Sequence, residues 1–374
     1  MKILLTGGGT GGHFYPLIAI AEELNVIAQK EKILDLKLYY MSDSPYDKQM
    51  LFNNRVTYVA VPAGKLRTYS SIRNFFDMIT ACLGAIVGLL KLFTIYPDVV
   101  ISKGGYASFP AVFGAKVLRI PVIVHESDSH PGRLNLWTAK FARHIAVSWP
   151  EAVEYLPKEK TVLTGQPVRK SIQHGASDGA YEFFNFSKNK KTILILGGSQ
   201  GAEIINKIIL DALPLLIEKY QIIHQTGVKN FEDVNLRSNF ILEKNPLKSS
   251  YKAIAYLNDV TTKMAAGVAD VVLSRAGSTI FEIASWGIPS IIVPITNSNG
   301  DHQRKNAYNY ARTGAGEVVE EINFKPHVIT ALIDKLIKDP KLLTQMKEHA
   351  IAFTKLDAAY VIADEAIKIA LEHE

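Results

Sequence analysis

Short runs of β-branched and other apolar residues alternate along the chain with longer stretches in which apolar positions recur every three or four residues. A helix repeats its buried face about every 3.6 residues, and a strand covered on both faces is apolar throughout. This rhythm predicts parallel sheets flanked by helices. Strands are expected at 2–6, 36–41, 57–61, 99–102, 122–126 and 145–148, and again at 192–196, 222–226, 240–243, 271–274 and 290–294. The two series open alike. Ile3-Leu4-Leu5-Thr6-Gly7-Gly8-Gly9-Thr10-Gly11-Gly12 and Ile193-Leu194-Ile195-Leu196-Gly197-Gly198-Ser199-Gln200-Gly201-Ala202 each read as strand, glycine turn and helix start. The expected fold class is therefore α/β, with two doubly wound Rossmann-like domains facing a central cleft. A polar stretch near 165–187 predicts an N-terminal domain over 1–165 and a C-terminal domain over 166–349. A last helix over 350–374 is placed to pack back across the first domain.

With 48% apolar and 21% charged side chains, the 374 residues exclude disordered and fibrous classes. The single cysteine, Cys82, can build neither an internal disulfide nor a zinc ligand set, as expected of a cytosolic chain. The opening residues run straight into glycines, so no signal peptide is expected. The net charge of +6 gathers in the first half. Between 65 and 145, Lys65, Arg67, Arg73, Lys91, Lys103, Lys116, Arg119, Arg133, Lys140 and Arg143 stand against Asp77, Asp98, Glu126 and Asp128. That imbalance favours an anionic partner, either phosphate-rich or a membrane surface. The same region holds 78–90, thirteen residues without a charge, a run too short for a bilayer core that takes about 20 helical residues. It is either a buried helix or a surface helix resting in a lipid interface, with Phe75, Phe76, Ile79, Leu83 and Ile86 as the contact and Arg73 and Lys91 near the headgroups.

The candidate chemistry follows the strand ends. Gly7, Gly9 and Gly12 have dinucleotide-binding spacing, but the acid that would hold a ribose about 20 residues on is missing, Asp43 being the nearest. A nicotinamide enzyme is therefore disfavoured, while a helix N-terminus suited to an anionic ligand remains. His13 sits in the first turn of that helix, where a neutral imidazole could take a proton from a hydroxyl or simply make a capping contact. Lys103-Gly104-Gly105-Tyr106 forms a second turn suited to phosphate. His125-Glu126-Ser127-Asp128 ends the next strand, as acid/base groups or as a satisfied polar network. In the second half Gly198-Ser199-Gln200-Gly201 again suits phosphate. Glu282, one turn past Ser278 and Thr279, either complements a helix dipole or binds a ribose diol. No Asp-x-Asp pair follows an apolar strand, Glu126-x-Asp128 being the nearest, and no histidine or cysteine cluster has metal spacing. Metal-free chemistry, with helix N-termini and an arginine neutralising a leaving diphosphate, is the simpler expectation.

Together these blocks resemble the MurG-type glycosyltransferases of bacterial peptidoglycan synthesis. The matching elements are Gly7 to His13, Gly104-Gly105-Tyr106, His125-Glu126, Thr164-Gly165-Gln166-Pro167-Val168-Arg169, Gly197 to Ala202, Arg275 to Glu282, Asp301-His302-Gln303 and Asn306-Ala307. The resemblance implies the GT-B glycosyltransferase architecture. It implies inverting, metal-independent transfer of N-acetylglucosamine from UDP-N-acetylglucosamine, with no cofactor, to the C4 hydroxyl of lipid I, undecaprenyl-pyrophosphoryl-N-acetylmuramoyl-pentapeptide. His13 is the leading base, with Glu126 or Asp128 as rivals. In the second domain Ser199 and Arg169 would lie near the donor diphosphate, the Leu257 backbone near uracil, Ser278, Thr279, Ile280, Phe281 and Glu282 around phosphate and ribose, and Gln303 on the sugar. Thr10, Gly11, Gly12 and Asp128 would also approach the transferred sugar, and Gly9, Gly104, Gly105 and Tyr106 the acceptor diphosphate. The implied place is peripheral, on the cytoplasmic face of the cell membrane. The implied partners are an anionic membrane surface and other cell-wall synthesis proteins, with no nucleic acid. Alternatives are a UDP-N-acetylglucosamine 2-epimerase, a transferase to another lipid, and a non-catalytic nucleotide-sugar module.

Overall fold

The computed structural model describes residues 1–65, 73–198, 201–296 and 298–372. They divide into two compact units, Met1–Arg169 with Lys355–Glu374, and Lys170–Thr354.

The first unit is built on seven strands: β1 (Lys2–Thr6), β2 (Lys37–Ser42), β3 (Val56–Ala60), β4 (Val99–Ser102), β5 (Val122–Glu126), β6 (His144–Val147) and β7 (Thr161–Leu163). All pairs are parallel, in the order β3-β2-β1-β4-β5-β6-β7. β1 and β4 are covered on both faces, which is why they read as unbroken apolar runs. The strand order reverses between them, and that switch point is where doubly wound sheets gather ligands at the carboxyl ends of the strands. Helix Gly11–Lys30 leaves β1 and buries Phe14, Leu17, Ile18 and Leu24. Helix Ala358–Leu371 closes the same core with Ile362, Ala363, Ala366, Ile367 and Ala370. The continuous helix expected over 350–374 is instead two, Pro340–Phe353 and Ala358–Leu371. Between them Thr354 is extended, and Lys355 Nζ is spent on the Leu163 carbonyl at 2.9 Å.

Helix Arg73–Ile95 settles the question raised by the apolar run. Phe76, Ile79, Leu83, Ile86, Leu90 and Phe93 are exposed, spaced alternately by three and four residues, and therefore form one stripe. The opposite side packs closely on helix Phe109–Leu118: a Cβ at Gly88 would stand 2.7 Å from the Pro110 carbonyl. Two expectations change here. The run belongs to a longer helix, and Phe76–Ile95, twenty residues at mean hydropathy 2.1, is long and apolar enough by composition to cross a membrane. Phe75's side chain lies outside the described residues.

The second unit carries β8 (Thr192–Leu196), β9 (Gln221–Gln225), β10 (Tyr251–Ile254), β11 (Val271–Ser274), β12 (Ser290–Ile292) and β13 (Gly316–Val318), all parallel, in the order β10-β9-β8-β11-β12-β13. Its switch point lies between β8 and β11. The strand expected at 240–243 is the end of helix Phe231–Ile241, because Val234, Ser238 and Leu242 bury at four-residue spacing while Phe240 points outward. The polar stretch after Arg169 folds into this unit: Ala180 and Phe184 join the cluster of Leu194 and Ile223, and Trp286 Nε1 donates to the Ile172 carbonyl at 2.7 Å.

The buried helix Ala358–Leu371 gives a test of the first unit's core. Ile367→Ala should cost about 2–4 kcal/mol in denaturant unfolding and raise amide exchange in helices Gly11–Lys30 and Ala358–Leu371 before it does so in β8.

Candidate functional site

At the carboxyl edge of the first sheet, β1 runs into a turn that only glycine can make at close quarters. A Cβ at Gly8 would stand 2.5 Å from Ser42 Oγ and 2.8 Å from Ala107 Cβ, and Gly9 has φ +86°. Tyr40 Oη donates to the Gly7 carbonyl at 2.5 Å, tying the turn to β2. Thr10 then caps helix Gly11–Lys30 with extended backbone, its carbonyl accepting from the amides of His13 and Phe14 at 3.1 and 3.2 Å. Thr10 Oγ1 also lies 3.0 Å from His13 Nδ1. When Nδ1–H donates to Thr10, the lone pair is on Nε2. That nitrogen faces the second turn, since a Cβ at Gly105 would be 3.4 Å from it. His13, Gly104 and Gly105, 91 and 92 residues apart in the chain, are thus brought together; the two glycines have φ +79° and +78°. Tyr106 Oη donates to Asp43 Oδ2 at 2.8 Å, so the acid too distant in sequence for a ribose fixes an aromatic side chain instead.

The motif ending β5 forms a satisfied network. Glu126 is buried, and its Oε1 accepts from the Asp128 amide at 2.9 Å, while Oε2 accepts from the Gly132 amide at 2.9 Å and Asn135 Nδ2 at 2.8 Å. Burial and the neighbouring Asp128 push its carboxyl up, and those hydrogen bonds pull against them. Glu126 therefore shapes the loop that carries Asp128. His125 is fully buried, and its Nε2–H donates to the Gly165 carbonyl at 3.0 Å, so Nδ1 accepts from Lys103 Nζ at 2.7 Å. Burial, with the Lys103 charge, holds His125 well below the usual histidine range. Lys103, expected beside a phosphate, is turned inward.

Arg169, expected on the donor side, belongs to the first unit. It is buried, and its guanidinium stacks 4.2 Å from the ring centroid of Tyr15, two residues past His13. The segment after β7 stays with its own sheet, the Thr164 and Gly165 amides both donating to the Val147 carbonyl at 3.1 Å, which explains the placement.

In the second unit, β8 leads into Gly197 and Gly198, the latter with φ +79° and, among the described residues, nothing within 4 Å of where a Cβ would stand; Ser199 lies outside the described residues. The turn closes with the Gly201 amide on the Gly198 carbonyl at 3.0 Å. Beyond β11, Ser278 precedes helix Thr279–Trp286 and Glu282 is half-buried in its first turn. Ile280 and Phe281 bury their side chains, and their amides bond the Gly277 and Ser278 carbonyls at 3.2 and 3.1 Å. They can serve a phosphate only through the helix dipole. The Leu257 amide is likewise engaged, by Gln225 Oε1 at 3.1 Å, and its carbonyl accepts Thr262 Oγ1 at 3.2 Å. Gln303 Oε1 accepts from the Ile295 amide at 3.2 Å.

The contacts of two motif residues, Asn306 and Arg275, and the whole role of His224 escaped the sequence reading. Asn306 Nδ2 donates to the Ala276 carbonyl at 3.2 Å and so fixes the turn after β11. Arg275 Nη2 pairs with Glu321 Oε1 at 2.7 Å and its Nη1 donates to the Val293 carbonyl at 3.1 Å. His224, pulled down to about 3 by burial, sits between Tyr251 Oη at 2.9 Å and Asn206 Oδ1 at 3.0 Å. Only the strand-end position of His224 and Arg275 hinted at such roles. Among the described residues no group of three or more histidine, cysteine or acidic side chains could hold a metal ion.

Residues 3–147 match the glycosyltransferase family 28 N-terminal domain and residues 192–365 the family's C-terminal domain. A curated Bacillus cereus relative is 34% identical over 376 aligned residues that cover 100% of this chain and 98% of its own. The chain belongs to glycosyltransferase family 28. That relative is named UDP-N-acetylglucosamine--N-acetylmuramyl-(pentapeptide) pyrophosphoryl-undecaprenol N-acetylglucosamine transferase 2. The crystal structure of Acinetobacter baumannii MurG superposes with a TM-score of 0.71 at 22% identity, covering 98% of this chain and 99% of that one. UDP-GlcNAc 2-epimerase from Neisseria meningitidis, bound to UDP-GlcNAc, gives 0.68 at 16% identity, covering 98% and 100%. At those identities the two structures speak for the fold alone, the two-domain GT-B architecture of this family 28 member.

The loop held by Glu126 gives a direct test. Glu126→Gln places an amide against N–H donors and should cost about 1–3 kcal/mol, read as a lowered unfolding midpoint with faster amide exchange at 128–132.

Proposed function

We propose that this family 28 enzyme transfers N-acetylglucosamine from UDP-N-acetylglucosamine to the C4 hydroxyl of lipid I, with inversion and without a metal ion. The observation that carries the reading is identity of 34% along the whole chain to a curated transferase of that name, since the epimerase likeness stops at fold.

In this reading the acceptor sugar meets the first unit at the paired glycine turns, its diphosphate at Gly9, Gly104, Gly105 and Tyr106. His13 Nε2 takes the C4 hydroxyl proton, the freed oxygen bonds the anomeric carbon, and the bond from that carbon to the UDP oxygen breaks. The tautomer this step uses is the one in which Nδ1–H donates to Thr10 Oγ1, 3.0 Å away, and Nε2 carries the lone pair. UDP leaves with its charge met by the glycine turn after β8 and the start of helix Thr279–Trp286. Glu282 accepts from the ribose diol, and Gln303, with Oε1 already bonded, offers Nε2 to a sugar hydroxyl. Uracil N3–H reaches the Leu257 carbonyl through its second lone pair, because the amide there is engaged. Glu126 is a positioning residue. Asp128 faces the transferred sugar as a hydrogen-bond acceptor.

The exposed stripe of helix Arg73–Ile95 would rest in the lipid interface, beside the basic residues of 65–145, on the cytoplasmic membrane face where lipid I presents its headgroup. Its close packing on helix Phe109–Leu118 supports a peripheral helix over a spanning one.

Two experiments test this. Labelled N-acetylglucosamine should pass from its UDP donor to a short-chain lipid I analogue with EDTA present. His13→Ala should lower kcat at least about 10²-fold with donor affinity unchanged; release of UDP or an epimer from the donor alone would instead mark an epimerase. For the membrane face, polar replacement of Ile79, Leu83 and Ile86 should abolish salt-sensitive binding to anionic vesicles, and unaltered binding by the folded variant would refute that contact.

A further inference from the structure

Two consecutive acids, Glu320 and Glu321, follow β13 and reach back to the segment that carries Gln303. Glu321 Oε1 pairs with Arg275 Nη2 at 2.7 Å, and its Oε2 accepts from the Thr296 amide at 3.0 Å and the Thr296 hydroxyl at 2.7 Å. The ion pair is shielded from water, Arg275 being 13% and Glu321 17% exposed. Arg275 Nη1 also donates to the Val293 carbonyl, just past β12, at 3.1 Å. The segments leaving β11, β12 and β13 therefore meet at one carboxylate. Glu320 grips the next helix, His302–Arg312, its Oε1 accepting from Arg304 Nε at 2.8 Å and Tyr308 Oη at 2.9 Å. The peptide unit beside Thr296 completes the link, since the Ile295 amide donates to Gln303 Oε1 at 3.2 Å. Burial pushes the Glu321 carboxyl up, but the Thr296 donors and the Arg275 guanidinium outweigh it and hold the group below the usual carboxylate range. Glu321 is thus charged at neutral pH, the state in which its oxygens accept most strongly.

We infer that Glu321 is a positioning residue of the donor site: it fixes the Ile295–Thr296 backbone, and through the Ile295 amide it sets which end of the Gln303 side chain faces the donor sugar. An amide side chain has an accepting oxygen and a donating nitrogen, and either can be turned toward a ligand. With Oε1 committed to Ile295, Nε2 is the end that remains, so Gln303 is presented as a donor to a sugar oxygen. Once the Ile295 amide moves, the Gln303 amide can rotate, and the sugar must spend part of its binding energy on ordering it. Glu321 itself never touches substrate. The turn after β11 keeps an anchor of its own, Asn306 Nδ2 on the Ala276 carbonyl at 3.2 Å, so loss of Glu321 is felt at the sugar and not at the UDP. The binding part of the inference rests on the transferase reading; the backbone part does not.

The test measures calorimetric Kd for UDP-N-acetylglucosamine and for UDP in full-length wild type, Glu321→Ala, Gln303→Ala and the double variant, together with amide exchange at 295 and 296. Glu321→Ala should weaken UDP-N-acetylglucosamine about three- to tenfold, while UDP changes by less than about twofold. In the Gln303→Ala background the same substitution should cost the sugar nucleotide no more than about twofold. Exchange at 295 and 296 should quicken about tenfold. Equal loss for UDP and UDP-N-acetylglucosamine, or losses that multiply in the double variant, are what a residue that only stabilised the fold would give, and either overturns the inference. Unchanged exchange at 295 overturns it too. If Glu321→Ala does not fold, Glu321→Gln replaces it, keeping the shape but leaving one accepting oxygen for Arg275 and Thr296 to share. The same sugar-selective loss is expected there, and its absence counts against the inference equally. A wild type that binds neither nucleotide defeats the transferase reading, while exchange at 295 still decides whether Glu321 holds the anchor of Gln303.

Discussion

The first unit's site depends on how closely two backbone turns can approach. Gly7 and Gly8 pass so near β2 and the segment after β4 that a single added carbon would collide with Ser42, Ala107 or the Lys103 side chain. Because the turns touch through backbone, the helix starting at Gly11 begins beside Gly105, and His13 arrives there with Thr10 already on its other ring nitrogen. Remove the close approach and His13, the Thr10 hydroxyl and the left-handed glycines separate. The residues of the proposed transfer site are thus assembled by steric permission first and by hydrogen bonding second.

Each sheet holds its carboxyl edge with buried polar groups. In the first, Lys103, His125, Ser127, Ser148 and Gln166 exchange hydrogen bonds beneath the loop shaped by Glu126. In the second, His224 bridges Tyr251 and Asn206, and Asn206 donates to the Thr226 carbonyl at 3.0 Å. Both histidines are kept neutral by burial, so each has one donating and one accepting nitrogen with a partner for both. Apolar packing alone would leave strand ends free to shift, whereas directional hydrogen bonds between buried side chains favour one arrangement. Surface work is divided differently: the exposed stripe on helix Arg73–Ile95 is apolar, and glycine contacts hold that helix against its neighbour.

Strands buried on both faces were legible in the sequence almost to the residue, as at β1, β4, β5, β8 and β11, because a continuous apolar run bounded by glycine has few other readings. β7, β10 and β13 were not, being three or four residues long with polar or half-buried positions. The end of helix Phe231–Ile241 was misread because three apolar residues in a short window, Phe240, Ile241 and Leu242, do not reveal their period. Glycine turns and the family followed from local motifs. The partners of Lys103 and Arg169 did not, since each contact joins residues whose meeting is decided by strand order, and a motif carries no record of it. Arg169 on Tyr15 is the plainest case: 154 positions separate them in the chain.

A single displacement with His13 as base has a stereochemical consequence that no variant is needed to examine. The donor sugar is α-linked to UDP, so one in-line attack must give a β-linked disaccharide. Proton NMR of the product formed from UDP-N-acetylglucosamine and the lipid I analogue reads this directly from the coupling at the new anomeric centre. A large, trans-diaxial coupling is expected. A small coupling, marking retained α-configuration, would require a covalent or front-face mechanism and would contradict the assignment of His13 as the base of a direct displacement.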